Sequence, residues 1–254
     1  MNFFSSKSAA QRYPKGRPYF HPLVIERISA RLSLAKPIDR AIDIGSGTGL
    51  STVALREIAT EVVGADLSPE MLALAPREEH ISYVLADAVK LPFAENRFDL
   101  LSLSSAFHWL ERSEFLREAR RILRSGGWLI VYDYYFPGKM EENAEFQRWY
   151  REIYLTRYPA PPRAGLVFTE DESGNEGLHL EGHEQFHNSV RMSVDGLVDY
   201  LMTHSNVAAA VEAGEEDIGA IRYWVEETVR PLFGGLKEGT FRFYGPIWYL
   251  RKTS

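Results

Sequence analysis

Between residues 40 and 134, short apolar runs alternate with segments whose apolar residues recur every three or four positions. Short apolar runs read as buried strands, and the 3.6-residue period reads as helices crossing them. The pattern predicts strands at Arg40–Ile44, Glu61–Ala65, Ile81–Leu85, Asp99–Leu103 and Trp128–Tyr132. Helices are expected from about Gly49 to Ile58 and from Ser113 to Leu123. The second would bury Phe115, Leu116, Ala119, Ile122 and Leu123 and end at Gly126-Gly127. Ser68-Pro69-Glu70 marks another helix start: a capping hydroxyl, a proline in the first turn and an acid favoured by the helix dipole. This alternation implies a parallel sheet with crossover helices.

The flanks follow other patterns. Leu23, Val24, Ile28 and Leu32 recur at helical spacing after a proline-rich arm, and Lys36-Pro37 stops that helix. Residues 135–180 are rich in aromatics, prolines and charge, with a weakly helical stretch from Glu141 to Arg157; they read as an insertion over one sheet edge. Gln185–Ser193 alternates like a strand. Helices follow near Asp195–Ala210 and Glu216–Val229, then a last strand at Thr240–Leu250 that Gly245-Pro246 should break or bulge. The expected organisation is one domain: an arm and helix (1–36), a core (37–134), an insertion or lid (135–185) and the rest of the sheet with its helices (186–254).

Composition narrows the chemistry. The 254 residues suffice for a sizeable core, and the net charge of −6 argues against a broad nucleic-acid or anionic-membrane surface. There is no cysteine, which excludes disulfides, thiolate catalysis and Cys-ligated metals. No run approaches the roughly 18 apolar residues of a membrane helix, and the first residues lack a signal-peptide core, so a cytoplasmic protein is expected.

Chemistry concentrates after the first strand. Asp43-Ile44-Gly45-Ser46-Gly47-Thr48-Gly49 places glycines at alternate positions, and Asp66 follows Gly45 by 21 residues at the end of the next strand. Glycines there let the backbone turn sharply and approach a ligand. An acid at the neighbouring strand tip can accept ribose hydroxyls. The spacing is G-x-G-x-G, not the G-x-G-x-x-G of dinucleotide sites. Asp43 would sit badly beside a pyrophosphate and well beside a cation.

Further motifs continue in order: Gly64-Ala65-Asp66-Leu67-Ser68-Pro69-Glu70-Met71-Leu72, Ala86-Asp87-Ala88 with Leu91-Pro92-Phe93, Phe98-Asp99, and Leu123-Arg124-Ser125-Gly126-Gly127. This ordered set resembles class I S-adenosylmethionine-dependent methyltransferases, and the His108-Trp109 pair resembles the trans-aconitate methyltransferase-like branch of the type 11 group. Where the family usually has proline at a helix end, this chain has Ser125.

The resemblance implies a Rossmann-like, doubly wound α/β sheet of seven strands, mostly parallel with an antiparallel last strand, and a lid insertion after strand five. It implies S-adenosyl-L-methionine as methyl donor, S-adenosyl-L-homocysteine as product, and in-line transfer to a small-molecule acceptor, with no metal required. Gly45, Ser46, Gly47 and Gly49 would pass under the methionine part, with Asp43 near its ammonium. Asp66 would hold the ribose. Leu67 and Met71 would flank the adenine, and Asp87 and Ala88 would meet its amino edge. Ser104 would lie beside the donor, and Arg17, in an arm that resembles the branch's Tyr…Arg-Pro-x-Tyr element, would pair with the methionine carboxylate.

Several residues keep two readings. Met71 flanks adenine or packs the core. His108 is a base, orients an acceptor or packs its loop; Trp109 stacks on substrate or supports the loop. Tyr13 and Tyr19 wall the site or belong to a solvated arm. Trp149, with Tyr150, Tyr154 and Tyr158, lines a substrate cavity or forms the insertion's core. His179, His183 and His187 would suggest a metal only on a helix, and Gly177 and Gly182 oppose one. Arg117, Arg120, Arg121 and Arg124 read as a solvated helix face. Two rival functions are a donor-binding regulatory module and a nicotinamide oxidoreductase; the glycine spacing opposes the second.

Overall fold

The structure, a computed structural model, describes residues 15–161, 174 and 176–253. Tyr13 and residues 162–173 of the expected insertion lie outside the described residues. The chain forms two compact units. One comprises Tyr19–Tyr134, Arg163–Phe186 and Gly245–Ser254; the other comprises Met1–Pro18, Tyr135–Pro162 and His187–Tyr244.

In the first unit, helix α1 (His21–Arg31) precedes strand β1 (Ile38–Ile44), helix α2 (Leu50–Leu55) and strand β2 (Ala59–Asp66). Helix α3 (Pro69–Leu72), β3 (Ile81–Leu85) and β4 (Phe98–Ser104) follow, then helix α4 (Arg112–Ile122) and β5 (Leu123–Tyr132). β3, β2, β1, β4 and β5 pair in that order, all parallel. Helical crossovers cover both faces of such a sheet, so β1, β4 and β5 bury most of their residues, whereas edge strand β3 has no fully buried residue. The core is aliphatic and aromatic, with Ile42, Leu101, Leu103, Phe115, Leu116 and Leu129 fully buried. The antiparallel last strand, β8 (Gly239–Lys252), pairs with β5 through Ile247–Arg251.

The sheet has eight strands where the sequence pattern predicts seven. The addition is β6 (Tyr135–Met140), antiparallel to β8 through Tyr244, Arg242 and Phe241. Pro137 and Gly138 hide it from a propensity reading. The order ends β5-β8-β6, and the remaining strand, β7 (Leu178–Met192), also pairs with β8. Residues of β8 on either side of Gly245-Pro246 thus have different partners, which is how the expected break is realised.

Two other expectations are corrected. Gly126-Gly127 does not cap α4: the helix ends at Ile122, Leu123 is already extended and pairs with Phe98, and the register shifts before Leu100 pairs with Trp128. The glycines therefore lie in a bulged stretch of β5. The basic stripe of α4 is also only partly solvated. Arg121 donates to Glu118 (2.7 Å) and to the carbonyls of Phe93 (2.7 Å) and Leu91 (3.1 Å), pinning the segment before β4. Arg124 is not on the helix at all but in β5, where it pairs with Asp99 at 2.6 Å.

In the second unit, the single helix expected over 195–210 is two, α7 (Val194–Leu201) and α8 (Ser205–Glu212), once α5 (Glu145–Arg148) and α6 (Leu155–Arg157) are counted. The Thr203 hydroxyl donates to the Tyr200 carbonyl (2.6 Å), and His204 is extended, so the helix stops there. The aromatics of 135–161 pack in this unit: Trp149 is buried against Phe146 (5.4 Å between ring centres) and Tyr154 (5.7 Å), and Phe136 stacks on Phe243 (4.9 Å).

Candidate active site

Ligands of open α/β sheets bind outside the carboxyl ends of the strands, where the strand order reverses. Here β1 lies between β2 and β4, so the reversal falls at the Gly45–Gly49 loop. All three glycines there have left-handed φ, at +65°, +54° and +83°. A Cβ at Gly47 would meet nothing within 4 Å among the described residues, so they leave the loop open on that side. At Gly49 a Cβ would crowd the Tyr83 hydroxyl, so any side chain there must displace that ring.

Asp43 ends β1 beneath the loop and is fully buried. One carboxylate oxygen accepts from Ser51 (2.6 Å) and Thr52 (2.7 Å) of α2, and the other, Oδ1, is buried with no partner among the described residues. Burial pushes its pKa up to about 6, and the nearby Asp66 charge adds to the rise. The hydroxyls of Ser46 and Thr48 are likewise buried and unpartnered among the described residues. An unpaired buried carboxylate oxygen beside an open, glycine-lined loop fits a cation-bearing ligand. Burial also raises the Asp66 pKa. Its carboxylate accepts the N–H groups of Gly47 (2.7 Å) and Ser68 (2.8 Å), joining the tip of β2 to the loop after β1.

Of the other expected cofactor residues, Leu67, Asp87, Ala88 and Ser104 lie at or just past strand ends, and Met71 lies in α3. Leu67 is 60% exposed and Met71 is buried, so only Leu67 now presents an open apolar surface. Asp87 is exposed and accepts the Val89 N–H (3.1 Å), while Ala88 and Ser104 are partly buried. Arg17 lies in the other unit, donating to the Thr203 carbonyl (3.3 Å) with its guanidinium over Tyr200 (5.7 Å). Trp149 lies in that unit too. Tyr19 is half-exposed and meets His21 edge-on at 5.8 Å.

His108 sits in a short 3₁₀ turn, Phe107–Trp109, just past β4. Phe107 anchors the turn in the core against Phe115 (5.8 Å), and Trp109 lies beside the imidazole (4.7 Å). His108 Nδ1 faces Asp133 Oδ2 at 3.5 Å, and the two side chains are only 4% and 6% exposed. Asp133, at the end of β5, did not emerge from the sequence reading. An acid closing the apolar run Leu129–Tyr132 was the available signal, the same one that identifies Asp43 and Asp66. The neighbouring Tyr132 hydroxyl shares a hydrogen bond with His21 Nδ1 (3.0 Å) in another buried pair that the sequence reading missed. His179, His183 and His187 lie on the exposed side of β7, a strand and not a helix.

Comparison with known proteins decides the family. Residues 42–131 match the family model described as "Methyltransferase domain". A demethylmenaquinone methyltransferase of Thermus thermophilus is 34% identical over 161 residues, 60% of this chain and 68% of the relative. The chain is a class I S-adenosylmethionine-dependent methyltransferase. A Dictyostelium discoideum protein named as a methyltransferase is 27% identical over 83% of this chain and 80% of its own. A solved chain from Anaeromyxobacter dehalogenans, described as a type II methyltransferase, shares the fold with TM-score 0.67 at 20% identity, covering 91% of this chain and 95% of that one. The methyltransferase uses S-adenosylmethionine as its donor, and the orphaned Asp43 oxygen and open Gly47 are features that suit it. No described helix is long and apolar enough to cross a membrane.

Proposed function

We propose that this methyltransferase methylates a small molecule at a group that gives up a proton, with His108 as the base. When bound, S-adenosylmethionine supplies an electrophilic methyl group and leaves as S-adenosylhomocysteine. Asp43 would face its ammonium, Asp66 its ribose, and the Gly45–Gly49 backbone its methionine part. His108 takes the acceptor's proton, and positioning of both reactants provides most of the rate.

The observation that carries this reading is the buried His108–Asp133 pair at adjacent strand ends (3.5 Å). A carboxylate there balances an imidazolium, whereas an anionic acceptor would meet the charges of Asp43, Asp66 and Asp133 along one row of strand ends. The reading thus disfavours a carboxylate acceptor of the trans-aconitate type. The Thermus relative is named for demethylmenaquinone, which supports a small acceptor.

Incubation with methyl-labelled donor and a metabolite extract tests the proposal. Label should appear in a small, alkali-stable product. Label in protein or nucleic acid would refute the small acceptor, and an alkali-labile methyl ester would refute the proton-bearing one.

A further inference from the structure

Asp133 is held more firmly than a surface carboxylate needs to be. Its Oδ1 accepts from the Ser105 hydroxyl (2.8 Å) and from the Tyr134 N–H (2.8 Å). Both donors point at one oxygen, which leaves Oδ2 for the imidazole. Oδ2 and His108 Nδ1 are both buried, lack a hydrogen-bond partner among the described residues, and face each other at 3.5 Å.

Ser105 reaches this position in a left-handed conformation, φ +52°, while its N–H donates to the Tyr132 carbonyl (2.9 Å). A non-glycine residue in that region is strained, because its Cβ crowds the following carbonyl oxygen. The other described non-glycine residues with positive φ, Ser33, His80 and Asn96, do not adjoin these strand ends. The fold therefore spends backbone strain where the loop after β4 meets the end of β5.

We infer that Asp133, oriented by Ser105 and the Tyr134 amide, is a positioning residue that fixes His108 in the tautomer with the proton on Nδ1. A carboxylate can only accept, so any proton that comes to bridge Oδ2 and Nδ1 must come from the imidazole. Nε2 then carries the free lone pair, ready to take a proton. The inference rests on His108 being the base of the proposed reaction, but the tautomer is a property of the protein alone.

Nitrogen-15 NMR of the imidazoles in the donor-free protein reads it directly, with His108 assigned by loss of its signals in His108→Gln. The expected result is a neutral ring protonated on Nδ1. In Asp133→Asn an amide N–H can donate to Nδ1 and should move the ring proton to Nε2. Turnover in the labelled-methyl assay should then fall roughly 10²-fold or more, with donor affinity and acceptor KM little changed. Ser105→Ala keeps the carboxylate and should show a mixture of tautomers.

A wild-type ring protonated on Nε2 would overturn the inference, whether or not any variant folds. So would an Asp133→Asn protein with unchanged tautomer. If instead the wild type holds the Nδ1 proton while the labelled product is an alkali-labile ester, the positioning stands and the proton-bearing acceptor falls.

Discussion

The carboxylate of Asp66 accepts the Gly47 N–H at 2.7 Å. The acid expected to hold a ribose is thereby bonded to the loop expected to pass under the donor's methionine part. The same side chain accepts from Ser68 at the head of α3, so one carboxylate ties three consecutive segments of the site together. Its contribution to donor binding is the difference between these bonds and those it makes to ligand. Asp66→Ala should weaken donor binding by roughly 1–3 kcal/mol, as for loss of charge-assisted hydrogen bonds. Titration calorimetry of both proteins measures this, and equal affinities would remove Asp66 from the site.

Gly47 and Gly49 both need left-handed φ, but of the two only Gly49 is crowded by described residues, because a Cβ there would run into the Tyr83 hydroxyl. Gly47→Ala should cost only the backbone term of roughly 1–2 kcal/mol while obstructing the donor. Gly49→Ala adds overpacking, typically another ~1–3 kcal/mol. Denaturant melts paired with calorimetry should show Gly47→Ala losing mainly affinity and Gly49→Ala mainly stability. The reverse order would refute the open-loop description.

Two buried groups should give opposite pH dependences of stability. Burial lowers the His21 pKa to about 3 from an ordinary 6.5, so unfolding takes up a proton in that interval. Stability from His21 is complete above about pH 6.5 and is lost on acidification toward pH 3. Asp43 is raised to about 6 from 3.8, so the folded state binds the extra proton and gains stability as pH falls through that interval. The two slopes, each about 1.4 kcal/mol per pH unit, should largely cancel between about pH 4 and 6. Urea unfolding across this range should show His21→Gln becoming relatively more stable with acid and Asp43→Asn relatively less. Parallel profiles for both variants and wild type would rule this out.

Asp43 also predicts a pH dependence of binding. Its carboxylate should be protonated as pH falls below about 6, which removes the negative charge expected to face the donor's ammonium. S-adenosylhomocysteine carries the same ammonium and should bind more weakly at pH 5 than at pH 7.5. The difference should shrink in Asp43→Asn. A wild-type affinity that does not change over this range would place the ammonium elsewhere.

Much of the cofactor half was legible because its signals are local. Alternating apolar runs marked β1 to β5, Ser68 caps α3 through its hydroxyl as expected, and the Gly45–Gly49 loop adopts the left-handed backbone its glycines permit. Boundaries moved where a local signal had two uses: Gly126-Gly127 stops a helix as readily as it bulges a strand, and only pairing with β4 selected the strand. The strand β6 was missed because its ladder to β8 outweighs the poor propensity of Pro137 and Gly138.

The sequence by itself determined the α/β class, the order of the parallel strands' motifs and the family, since each depends on residues close together in the chain. Tertiary structure decided which side chains meet. His108 and Asp133 are 25 residues apart on neighbouring strand ends, and His21 reaches Tyr132 across 111 positions. Such pairs leave no periodic trace, because a strand end presents one side chain once. Their meeting depends on sheet order and register, which arise only when the whole core packs.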